Sequence, residues 1–113
     1  MAILNLTQHA ATPEQIAEGV VDLPRDAAAA LRQALTFDSL PTREEIQSRA
    51  REIAALAALY ASGEDREDGK GFALSAMIGG APWLMGPLSE ALREQGLAPI
   101  FAFCVRETEG PQD

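Results

Sequence analysis

The chain has 113 residues, 47% of them hydrophobic, and a formal net charge of −8 at pH 7. That length suits one domain with a real core, yet is short enough for a partner subunit to add stability. The acidic balance argues against a surface that tracks duplex DNA or long RNA, which would need clustered Lys and Arg. The apolar runs are too short for a membrane span, and Met1 to Leu6 lacks the basic segment of a signal peptide. A soluble, cytoplasmic protein is expected, with no duplex DNA or membrane partner.

In chain order, AILNL at residues 2–6 predicts a buried strand with Thr7, Gln8 and His9 at its carboxyl end. Thr12, Pro13 and Gln15 give a cap residue, a proline at the first helical position and the far partner of a capping box, so a short helix follows and Gly19 ends it. Residues 20–23 predict a second strand. The alanine-rich stretch 24–35 predicts a helix with Leu31 and Leu35 on one face. Thr42 and Glu45 repeat the capping box and open the longest helix, running to about residue 62, with Ile46, Ala50, Ile53, Ala57 and Tyr60 on one face.

Residues 63–71, GEDREDGKG, predict a solvent-swept loop. A third strand spans 72–78, and a helix over 82–95 carries the stripe Leu84, Leu88, Ala91 and Leu92, with Pro87 as a possible kink point and Gly96 past its end. Residues 97–105, LAPIFAFCV, predict a fourth strand apolar on both faces, as for a strand covered by helices on both sides. The lone cysteine, Cys104, lies in this run and cannot form an internal disulfide, so a buried thiol is expected rather than a nucleophile. The alternation predicts an α/β fold: a small Rossmann-like sandwich with a mainly parallel sheet of about four strands flanked by helices, filling residues 1–107, with 108–113 as a polar tail.

Ligands of such sheets bind beyond the carboxyl ends of the strands. That rule places Thr7, Gln8, His9, Arg25, Gly79, Gly80 and Arg106 with Glu107 on one rim. Gly79 and Gly80, followed by Ala81 and a helix opened by Pro82, read either as an anion seat made of backbone N–H groups or as a tight strand-to-helix connection. His9, the only histidine, reads as a general acid or base or as a hydrogen-bonded turn residue. Arg106 reads as a phosphate fork or as a partner of Glu107 and Glu109. Trp83 suits base stacking, a subunit interface or core packing. One His, one Cys and no spaced carboxylate pair give no metal-ligand set, and the glycines lack the spacing of dinucleotide or P-loop sites, so no metal or other cofactor is expected.

The segments Asn5-Leu6-Thr7-Gln8-His9 with Pro13-Glu14-Gln15, Ile78-Gly79-Gly80-Ala81-Pro82, and the closing GLAPIFAF of residues 96–103 with Arg106-Glu107 resemble small stand-alone CRISPR-associated Rossmann-fold (CARF-like) proteins, some of which are ring nucleases. The resemblance implies a homodimer that binds a cyclic oligoadenylate second messenger and cleaves it without metal. It implies Thr7, Gln8, Gly79, Gly80, Ala81 and Trp83 in ligand binding, Gln8 or His9 contacting ribose or assisting proton transfer, and His9 and Arg106 as catalytic residues. The rival readings are a non-catalytic sensing or protein-interaction module of the same fold, and an enzyme acting on another small phosphorylated compound.

Overall fold

The computed structural model describes residues 1–101. The elements follow the predicted order: β1 (Ala2–Leu6), α1 (Pro13–Ala17), β2 (Val20–Asp22), α2 (Arg25–Leu35), α3 (Arg43–Ala61), β3 (Ala73–Ile78), α4 (Pro82–Glu94) and β4 (Ala98–Phe101). Cys104, Arg106, Glu107 and the tail 108–113 lie outside the described residues. No helix among the described residues is long and apolar enough to cross a membrane.

Local chemistry sets the helix ends. Thr12 and Thr42 each close a full capping box, with Gln15 and Glu45 as the reciprocal partners. At the end of α4, Gly96 at φ +81° lets its own N–H reach the Arg93 carbonyl and the Leu97 N–H reach that of Leu92, the paired bonds of a Schellman motif. α4 runs unbroken through Pro87.

All four strands are parallel, in the order β2-β1-β3-β4. Leu4 and Leu6 of β1, Val21 of β2, and Ala76 and Ile78 of β3 point to one face, where they pack with Leu31 of α2, Ile53 and Ala57 of α3, and Leu84, Leu88 and Leu92 of α4. The predicted stripes of α2, α3 and α4 face the core, with Ile46 and Tyr60 at the ends of the α3 stripe only partly buried. α1 has only five residues, none buried, and sits beside β2. The result is a small Rossmann-like α/β fold whose core lies between the sheet and three helices.

Two expectations need correction. Among the described residues β4 is the edge strand, with Ala98, Ile100 and Phe101 exposed, so its apolar sequence does not reflect cover on both faces. The 63–71 loop is not solvent-swept throughout, because Arg66 folds inward with its side chain 1% exposed, donates to the Gly71 carbonyl and lies 3.7 Å from Asp68. Its Nε and Nη1 have no hydrogen-bond partner among the described residues.

Candidate functional site

The strand order reverses direction between β1 and β3: the chain leaves β1 for β2, then returns across β1 to β3. In open parallel sheets the crevice beyond the carboxyl ends at such a switch point is the ligand site. In register, Leu6 pairs with Ile78, so Thr7 and Gly79 are the first residues past neighbouring strand ends.

The β1 exit is built around Asn5, which is only 4% exposed. Its Nδ2 donates to the His9 carbonyl at 2.8 Å and to Asp22 Oδ1 at 2.8 Å. Its Oδ1 accepts from the Thr7 N–H at 2.9 Å and from Thr7 Oγ1 at 2.7 Å. Register explains the reach to Asp22, since Asn5 and Asp22 are opposed across β1 and β2. Asp22 Oδ1 also accepts the Ala11 N–H at 3.1 Å, so one buried amide and one carboxylate hold both ends of the Thr7–Ala10 turn. Thr7 is thereby a turn-forming residue, while the side chains of Gln8 and His9 are exposed and hydrogen-bonded to nothing among the described residues.

This turn forms one wall of a cleft of about 590 Å³. The opposite wall is the end of β2 and the first two turns of α2, with Asp22, Arg25, Leu31 and Arg32. Arg25 and Arg32 are seven residues apart on one helical stripe, about 10 Å along the axis. Neither forms an ion pair among the described residues. Pro24, the N-cap of α2, supplies no side-chain bond, and the first helical bond is from Ala28 to Pro24, so the N–H groups of residues 25–27 lack helical partners. Asp26 in the first turn offsets part of the positive end of the helix. The cleft thus combines two guanidiniums without an ion pair among the described residues, an exposed imidazole and a single carboxylate, beside an uncapped helix start. Chemically it suits a ligand with more than one anionic group and a hydrogen-bond donor.

The glycine pair sits at the neighbouring strand end but does not line this cleft. Gly80 has φ +140°, and a Cβ there would sit 3.7 Å from Met85 Cε, so the backbone conformation rather than space requires glycine. Ala81, the N-cap of α4, also gives no side-chain cap, leaving a second open N-terminus on the same edge. Trp83 packs edge-to-face on Phe37, centroids 4.8 Å apart at 79°, while staying 41% exposed. It ties α4 to the α2–α3 connection and keeps part of its ring free.

Reading along the sequence did not single out Asn5, Asp22 or Arg32. A polar residue inside an apolar strand was the available signal for Asn5, and the i to i+7 spacing from Arg25 was the signal for Arg32.

These features define a small Rossmann-like domain with a cationic cleft at the carboxyl edge of its sheet. The model of the family described as the uncharacterized protein MJ1673 family matches residues 1–113, and the chain belongs to that family. No curated protein and no solved structure matches the chain.

Proposed function

We propose that this protein binds a small phosphorylated ribonucleotide across the cleft between the Thr7–Ala10 turn and α2, and that the ligand is a cyclic oligoadenylate which it cleaves. The observation that carries the reading is the pair of arginines, Arg25 and Arg32, without ion pairs among the described residues and spaced along the α2 wall at a switch-point edge. Guanidinium forks suit phosphate, and two of them suit a ligand with several phosphates. The resemblance of the 5–9, 78–82 and 96–103 segments to CARF-like proteins supplies the cyclic ligand. The same reading makes the molecule a homodimer, because a symmetric pair of clefts matches a ring of phosphates better than one does.

Cleavage follows from positioning. The ribose 2′-hydroxyl attacks the adjacent phosphorus in line, its proton passes to the His9 imidazole, and the P–O5′ bond breaks as the departing oxygen takes a proton from water. The products are linear, ending in a 2′,3′-cyclic phosphate and a 5′-hydroxyl. Arginines and helix N–H groups offset the charge that builds on phosphate. His9 is held only through its backbone, and this favours binding without turnover as a second reading.

The test is incubation of purified protein with cyclic tetra-adenylate, with and without chelator, read by chromatography and by calorimetric binding. Chelator-resistant linear products support the nuclease, and saturable binding without products supports the sensor. Neither binding nor cleavage overturns both.

A further inference from the structure

The carboxylate in this otherwise cationic cleft has no role in holding phosphate. Asp22 is the last residue of β2, exposed, and lines both the main cleft and an adjoining groove with Arg25 and the 65–68 loop. Its Oδ1 is occupied by Asn5 Nδ2 at 2.8 Å and the Ala11 N–H at 3.1 Å, which fixes the orientation of the group. Its Oδ2 accepts no hydrogen bond among the described residues. An ionised carboxylate only accepts, and it repels phosphate, so the ligand atom that meets Oδ2 must be a hydrogen-bond donor, and in a phosphorylated ribonucleotide that is a hydroxyl or an amine. Arg25 and Arg32 stand on the helix that directly follows Asp22, and in a ribonucleotide whose phosphates they hold the donor vicinal to the 3′-phosphate is the 2′-hydroxyl.

Resting on the nucleotide-binding reading above, we infer that Asp22 is the residue that selects ribose over deoxyribose, its Oδ2 accepting the 2′-hydroxyl of a nucleotide other than the one whose 2′-hydroxyl attacks, while Arg25 and Arg32 hold the flanking phosphates. Asn5 is the positioning residue for that carboxylate. A ligand lacking the hydroxyl leaves a desolvated carboxylate oxygen unpaired, and the loss of one bond to a charged group corresponds to about 10- to 100-fold in affinity.

The test uses adenosine 3′,5′-bisphosphate and its 2′-deoxy counterpart, which carry two phosphates and no linkage to cleave, with affinities measured by calorimetry on the full chain. Wild type should bind the ribo form at least about tenfold more tightly. Asp22→Asn keeps an oxygen for Asn5 and Ala11 but replaces the free acceptor with a donor, and should narrow the preference to within about twofold. If that variant does not fold, Asp22→Ser, which shortens the group without adding charge, takes its place with the same expectation. Equal wild-type binding of the two compounds overturns the inference and leaves the nucleotide reading intact. A preference that persists in the folded variant, or one that instead tracks the adenine amine when inosine 3′,5′-bisphosphate is substituted, overturns the role of Asp22. Failure of wild type to bind either bisphosphate removes the nucleotide reading and this inference together.

Discussion

Arg25 and Arg32 reach the cleft from an exposed helix face and contribute little to the core, so Arg25→Ala and Arg32→Ala should each weaken binding of cyclic tetra-adenylate about tenfold while leaving the melting temperature within a degree or two of wild type. Calorimetric titration beside a thermal melt checks both halves of that expectation. His9→Ala should lower the turnover rate more than the affinity, because its imidazole is exposed at the cleft mouth and holds none of the fold. Arg66 behaves in the opposite way. Its guanidinium is buried with two of three nitrogens unpartnered among the described residues, so replacing it with an apolar side chain of similar length removes a desolvated charge. Arg66→Met should leave thermal stability unchanged or raise it, whereas Asp68→Asn, which removes the nearest counter-charge, should lower it by about 1 kcal/mol after allowance for the partial exposure of Asp68. A clear fall in melting temperature for Arg66→Met would show that the guanidinium is held by more than the Gly71 carbonyl.

At the scale of elements, what was legible in the sequence is what local chemistry decides. Thr12 with Gln15 and Thr42 with Glu45 mark two helix starts, and Gly19 and Gly96 mark two ends, because each signal acts within a turn or two of itself. The end of α2 at Leu35 was read correctly, but what caps it was not legible. Arg49 Nη1 donates to the carbonyls of Ala34 at 3.0 Å and Thr36 at 2.7 Å from 15 and 13 residues away, and its guanidinium lies 4.5 Å over the Phe37 ring. No short motif encodes a cap delivered from the next helix. The same cation sits at the negative end of the α2 dipole and anchors the ring on which Trp83 packs. Arg49→Ala should therefore cost about 2 kcal/mol, seen as a lower denaturant midpoint at constant slope, and Arg49→Lys should recover only part of it because an ammonium lacks the planar stacking face. Loss confined to about 0.5 kcal/mol in the alanine variant would place the contact among ordinary surface pairs.

For the whole molecule, the alternation of strands and helices prescribed a parallel sheet, and the carboxyl-edge rule placed Thr7, Gln8, His9 and Arg25 together, as the cleft has them. The exposed edge at β4 was hidden because a composition rich in apolar residues does not record which face has a helix to cover it. Charge is also a property of the whole. A molecule of net charge −8 repels an anionic ligand at a distance and attracts it only near the arginines. The acidic loop shares a groove with Arg25 through Asp65, Glu67 and Asp68, so its charge falls within about one Debye length of the cleft at ordinary salt. Two unit charges about 10 Å away in water contribute somewhat under 1 kcal/mol, or about threefold in affinity. Asp65→Asn combined with Glu67→Gln should therefore tighten binding of adenosine 3′,5′-bisphosphate about threefold, chiefly by faster association, and the gain should vanish near 1 M salt, where screening shortens to about 3 Å. Stopped-flow association rates across a salt series separate this from a local contact, since a gain that survives high salt would mean the loop acts on Arg25 by direct packing rather than through its field.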